Sequence, residues 1–234
     1  MSQPTLQTPP AAPHPEPLRL VVCGTDTDVG KTVVSALLVQ GLGAHYWKPV
    51  QCGLDNGEGD RDRVQRWLDW PVERILPEAY RFLDPVSPHW AAELASGDPQ
   101  HPGPAIDPAQ LALPAVAGPL VVETAGGLLV PLRRDLLQIQ QLQAWGLPVL
   151  LVARSGLGTL NHTLLSLEAL RLRRIPVLGV LLNGEPHPNN ATTLHQLGAV
   201  PLLGCLPPLP RLDGPALAEQ WRRLDLSHRL GADT

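Results

Sequence analysis

The chain has 234 residues, 44% of them hydrophobic and 17% charged, the balance of an ordinary core-forming protein with room for one large domain. A formal net charge of −4 leaves no basic footprint for nucleic acid. Three widely spaced cysteines, Cys23, Cys52 and Cys205, argue against a disulfide framework and for a reducing cytoplasm.

Residues 1–17 are rich in proline and lack the apolar stretch of a signal peptide, so a disordered tail is expected before a single domain over 18–234. The first strand candidate is LRLVVCG, 18–24, followed by a glycine-bounded loop and a helix over Lys31–Leu42. A second strand is expected at 45–50 and a helix at Arg61–Leu68. From Pro71 to Pro119 prolines recur without long periodicity, which reads as an insertion of loops and short helices such as WAAELASG, 90–97. The regular alternation then resumes. Strands at 119–123, 148–153, 177–183 and 201–207 are separated by helices at Asp135–Trp145, Thr159–Arg173 and Asn190–Leu197. The strands are continuously apolar, as strands covered on both faces should be. The expected fold is therefore a doubly wound, mostly parallel α/β sheet with helices on both faces, and its ligands should sit at the carboxyl ends of the strands. The most apolar runs, 147–153 and 175–182, are far shorter than the ~20 residues that cross a bilayer.

The loop between the first strand and helix is GTDTDVGKT, 24–32. Glycines let the backbone curl so that several N–H groups face one anion, and the helix behind adds partial positive charge. Lys31 supplies a full charge to outer phosphates, and the Thr32 hydroxyl is placed for the Mg²⁺ they carry. Five residues separate the first glycine from Gly-Lys, one more than usual, and the interior acids Asp26 and Asp28 suit a nearby metal or amine. Lys48 closes the second strand and should face the same crevice, although a surface lysine before Pro49 would fit its position equally well. Glu123 ends an apolar strand, where an acid needs a partner, and a small-residue loop follows it. With Asp60 it is a candidate Mg²⁺ ligand, while Asp60 could also belong to a solvated cluster with Asp55, Glu58 and Asp62. Cys52 has no activating histidine nearby and reads as a wall residue.

These pieces resemble one family, the dethiobiotin synthetases, ATP-dependent ligases of biotin biosynthesis in the P-loop NTPase superfamily. The resemblance rests on GTDTDVGKT, KPVQCG (48–53), SPH (87–89), VETAGG (122–127), LGTLNHTLLS (157–166), LLN (181–183) and PLLGCLP (201–207), which occur in the family's order. It implies conversion of 7,8-diaminononanoate, CO₂ and ATP to dethiobiotin, ADP and phosphate through a carbamate. By position it implies Lys48, Lys31 and Thr27 as the catalytic group and Thr32, Asp60 and Glu123 as Mg²⁺ ligands. Asp28, Val29, Gly30, Lys31, Thr32, Val33 and Gly126 would line the triphosphate. Asn183, with Pro207, Pro208 and Leu209, would read the adenine. Lys48, Cys52 and Asn161 would contact the substrate, Asn161 coming from the partner subunit of a homodimer, unless it only caps its helix. The chain departs from the family's usual residues with Asp28 for glutamate, Cys52 for serine, Thr124 for glycine and Gly184 for aspartate. Neither rival class finds its hallmark. An amide ligase of the cobyrinate type needs a glutaminase domain, and partitioning ATPases use a Lys-Gly-Gly loop absent here.

Overall fold

The computed structural model describes residues 16–95, 97–98 and 103–232, so the expected tail lies almost wholly outside the described residues. In chain order the elements are β1 (Arg19–Gly24), α1 (Lys31–Leu42), β2 (His45–Trp47), β3 (Val50–Cys52), α2 (Asp60–Leu68), β4 (Tyr80–Phe82), α3 (Pro88–Leu94) and β5 (Leu120–Gly127). There follow β6 (Pro131–Arg133), β7 (Leu136–Leu137), α4 (Gln138–Trp145), β8 (Val149–Arg154), α5 (Thr159–Leu172), β9 (Val177–Asn183), α6 (Pro188–Gly198), β10 (Leu202–Leu206), α7 (Gly214–Arg223) and α8 (Leu226–Arg229).

Six strands form one sheet in the order β10-β9-β8-β1-β5-β2, and every neighbouring pair is parallel. Successive side chains on a strand point to opposite faces, so an unbroken apolar run supplies two cores at once. On β1, Leu20 and Val22 join α1, α2, α7 and α8 on one face. Val21 and Cys23 join α4, α5 and α6 on the other. Each such buried aliphatic side chain stabilises the fold by about 1.5–3 kcal/mol. The doubly wound α/β architecture expected from the sequence is the one observed.

Three local readings need correction. β5 runs on to Gly127, which pairs with Gly24, so Glu123 lies within the strand and the small-residue loop expected after it belongs to the ladder. The strand expected at 45–50 is two strands, because Pro49 has no N–H to continue the ladder. β2 stays in the main sheet against β5, whereas β3 turns away and pairs with β4 in the inserted region. Lys48 sits at that break, clear of regular pairing. The chain after β10 also forms two helices that went unassigned from the pattern. Asp213 caps α7 by accepting from the Ala216 N–H, and α7 packs on α1, where Gly41 leaves room for the Trp221 indole. Among the described residues no helix is long and apolar enough to cross a membrane.

Candidate active site

β1 delivers the chain to a tight loop that ends on α1. Gly30, the N-cap of α1, has φ +96°, a conformation open to glycine at little cost, and no side chain caps the helix. The first-turn N–H groups of α1 are therefore left for a ligand, at the positive end of the helix dipole. Asp28 also takes a left-handed conformation, φ 53°, which Asp tolerates better than most residues. The Lys31 side chain folds back over the loop and its Nζ donates to the Asp26 carbonyl at 2.9 Å. The Asp26 carboxylate accepts from the Thr27 N–H at 2.7 Å, so this acid is spent on the loop itself. Val29 sends its side chain into the core and offers only backbone.

A cleft of about 820 Å³ opens over this loop. Its walls include Thr27, Asp28, Gly30, Lys31, Thr32 and Val33 from the loop and α1, Lys48, Gln51 and Cys52 from the β2–β3 segment, and Asp60 and Arg63 from α2. Glu123 and Gly126 from β5 complete the deep side, and Val86, Ser87 and Pro88 from the insertion form the outer lip.

The deep side is a charge cluster built from four elements. The Lys48 Nζ donates to Glu123 Oε1 at 3.1 Å and also to Asp60 Oδ2. The Thr32 hydroxyl donates to the same Glu123 Oε1 at 2.8 Å. Glu123 is completely buried, and Lys48 is 5% exposed. Burial works against the Lys48 ammonium, but Glu123 and Asp60 outweigh it and raise its affinity for the proton. Burial likewise opposes ionisation of Asp60, and Lys48, with Arg63 behind it, holds the carboxyl below the usual range. Lys31 has no contact carboxylate, and burial lowers its pKa in spite of Glu123. The Cys52 thiol is pushed up to about 12 by burial, with Lys48 opposing, so it is not a nucleophile at neutral pH.

Two carboxylates and a hydroxyl form an all-oxygen donor set, which suits Mg²⁺. Among the described residues no group of three or more His, Cys, Asp or Glu could hold a metal, so a divalent ion here would draw its remaining oxygens from phosphates and water.

A family model described as an AAA domain matches residues 18–216. The chain is 51% identical over 201 residues to the ATP-dependent dethiobiotin synthetase BioD of Novosphingobium aromaticivorans, covering 86% of this chain and 93% of that protein. To the protein of the same name from Rhodopseudomonas palustris strain BisA53 it is 53% identical over 194 residues, covering 83% and 87%. This chain belongs to the dethiobiotin synthetase family. Among solved structures, the septum site-determining protein MinD with Mg-ADP from Pyrococcus horikoshii superposes with a TM-score of 0.52 at 14% identity, covering 91% of this chain and 93% of that one. The MinC:MinD complex of Aquifex aeolicus gives 0.53 at 12% identity, covering 93% and 96%. At such identities the likeness is one of fold.

Several residues of the dethiobiotin synthetase pattern lie apart from the deep cluster. Asn183 ends β9 and donates its amide to the Val29 carbonyl at 3.2 Å, against the outer side of the loop. Pro207, Pro208 and Leu209 follow β10, whose Leu206 is in register with Asn183, so the four residues share one edge of the sheet. Asn161 is exposed in the first turn of α5 and does not line the cleft, and the cap of that helix is Gly158. Thr124, where the family usually has glycine, is buried on β5 and donates its hydroxyl to the Val22 carbonyl of β1 at 3.2 Å, a bond glycine could not make.

Three participants escaped the sequence reading. Arg63 reaches the cleft with its guanidinium 3.4 Å from Asp60. Gln51 accepts from the Asp60 N–H at 3.0 Å and donates to the Gly53 carbonyl at 2.9 Å, fixing the start of α2. Tyr46 donates its hydroxyl to Glu123 from inside the core. No local motif marks Arg63 or Tyr46, and Gln51, although it lies within KPVQCG, carried no assigned role there. The available signal was strand alternation, which puts Tyr46 and Lys48 on the same side of the chain two residues apart.

Proposed function

We propose that this chain carboxylates 7,8-diaminononanoate with CO₂ and closes the product to dethiobiotin at the expense of ATP, releasing ADP and phosphate. The observation that carries the reading is the pair of buried ammonium groups, Lys31 and Lys48, opening on one cleft beside Asp60 and Glu123. It is supported by 51% identity to a dethiobiotin synthetase over most of the chain.

A carbamate formed from one substrate amine and CO₂ attacks the γ-phosphorus of ATP. The neighbouring amine then displaces phosphate from the mixed anhydride and forms the cyclic urea. In this chain the amides from Asp28 to Val33 take the triphosphate at the positive end of α1. Lys31 neutralises its outer oxygens. Lys48 stays protonated because two carboxylates flank it, and it faces both the carbamate and the charge that develops on the phosphoryl group. Thr27 and Gly126 border that end of the cleft, and Cys52 offers the diamine a neutral wall. Thr32, Asp60 and Glu123 hold Mg²⁺, which when bound draws charge from the phosphate oxygens. Asn183 and the segment Pro207–Leu209 read the base. Catalysis is then mostly positioning and charge stabilisation, with no side chain bonded covalently to substrate. The enzyme works in the cytoplasm as a homodimer, in which Asn161 of the partner subunit meets the substrate carboxylate at a helix N-terminus.

The test is phosphate release from purified protein with ATP, Mg²⁺ and bicarbonate, which is expected only when the diamine is added. Diamine-independent hydrolysis at a similar rate would refute it in favour of a nucleotide switch. Light scattering reads the dimer directly, and a clean monomer would remove Asn161 from the site.

A further inference from the structure

Tyr46 is completely buried on β2, outside the cleft, and its hydroxyl donates to Glu123 Oε2 at 2.9 Å. The other oxygen of the same carboxylate, Oε1, receives Thr32 at 2.8 Å and Lys48 at 3.1 Å. The two oxygens of Glu123 are thus divided, one tied to the core and one presented to the cleft. The terminal torsion of a glutamate is soft and populates a broad range of angles. A second donor on the far oxygen removes that freedom, because rotating Oε1 out of the cleft would break the tyrosine contact.

The division has a chemical consequence. A carboxylate that turned both oxygens inward would compete for Lys48 with both, and one that turned Oε1 away would leave Thr32 without its acceptor. Only the observed plane gives Thr32, Lys48 and Asp60 a common meeting point. The tyrosine reaches its partner across 77 residues of sequence, through the pairing of β2 with β5 that sets Tyr46 opposite Val121 and Trp47 opposite Val122. Fully buried hydroxyls need an acceptor somewhere. Here the acceptor is the functional acid rather than a backbone carbonyl.

We propose that Tyr46 is a positioning residue, whose hydroxyl fixes the carboxylate plane of Glu123 so that Oε1 serves the cation site formed with Thr32 and Asp60. The inference rests on the reading of Thr32, Asp60 and Glu123 as metal ligands. Partners of ligating carboxylates typically change metal affinity by about 10–100-fold when removed.

The experiment measures Mn²⁺ binding by electron paramagnetic resonance, with a non-hydrolysable ATP analogue present, for the parent protein, Tyr46→Phe, Glu123→Gln and the double variant. Phenylalanine keeps the ring in its pocket and removes only the donor. Tyr46→Phe should bind Mn²⁺ at least about tenfold more weakly, while its affinity for metal-free nucleotide stays within twofold of the parent. Tyr46→Phe with parent-like Mn²⁺ affinity, whatever its melting temperature, overturns the proposal and leaves the tyrosine a plain core residue. On the Glu123→Gln background the tyrosine substitution should add nothing; a further loss there would mean that Tyr46 acts elsewhere. Failure of the metal-site reading looks different: Glu123→Gln itself would then bind Mn²⁺ as the parent does.

Discussion

Replacing Lys48 by methionine keeps the apolar stem and deletes the ammonium. Glu123 is then a fully buried carboxylate without its cation, and Asp60, whose side chain is 15% exposed, loses the same partner. Breaking a buried ion pair from one side costs about 3–5 kcal/mol, because the remaining charge stays desolvated. For a chain of this size a loss of 1 kcal/mol lowers the melting temperature by roughly 2–4 °C, so Lys48→Met should melt about 6–20 °C below the parent. The pH dependence gives a second reading. Without Lys48, the burial that already opposes ionisation of Asp60 loses its main counterweight, so the folded state takes up a proton there more readily. The variant's deficit should then shrink as pH falls, because the folded state takes up the proton. In the parent the sign is reversed. Asp60 is held below its ordinary value, so its contribution is present above the unfolded pKa and is lost as pH falls through the folded one. The two stability curves should converge in acid. Chemical denaturation followed by circular dichroism at several pH values measures both curves, and Lys48→Met/Glu123→Gln should recover more than half of the loss. A variant as stable as the parent, or a deficit that neither acid nor Glu123→Gln reduces, would refute the account of the cluster.

Gly30→Ala should lose at least about 1 kcal/mol, since L-residues resist a left-handed conformation, and a Cβ at φ +96° would overlap the Asn183 amide. Calorimetry should find ADP binding weakened as well, and adding Asn183→Ala should return only the part of the stability loss due to overlap; a Gly30→Ala variant of full stability and affinity would contradict this geometry. All three thiols are raised by burial, Cys23 and Cys52 to about 12. Folded protein at pH 8 should therefore take up iodoacetamide far more slowly than protein in guanidinium, and rapid labelling of the native Cys52 would contradict the burial assigned to it.

Local order was readable wherever chemistry and periodicity share a short window. The loop from Gly24 to Thr32 declares its strand, turn and helix within 15 residues of sequence, 21–35, and Lys31 and Thr32 could be assigned their setting from it. Lys48 and Glu123 were legible as polar residues closing apolar runs, although β5 continues past Glu123 to Gly127, and only the sheet order, with β5 between β1 and β2, brings them to hydrogen-bonding distance. Tyr46 and Gln51 were illegible for a different reason. Their side chains look like ordinary core and turn residues, and their roles lie in a hydroxyl and an amide whose partners are set by tertiary pairing. The break at Pro49 could have been foreseen from the missing N–H. So could α7, since Asp213 followed by Pro215 is an N-terminal helix signature, and Leu217, Trp221 and Leu224 recur at helical spacing.

The contact between Asn183 and the Val29 carbonyl joins two jobs in one side chain. On the proposed reading, the residue that meets the base is also a brace on the phosphate loop, and the bare Cα of Gly30 fits beneath it. A change at position 183 that suited a different base would loosen that brace at the same time. Drift in nucleotide preference within this scaffold should therefore run more readily through Pro207 and Pro208, which follow β10 at the same edge, while position 183 stays locked to its neighbour.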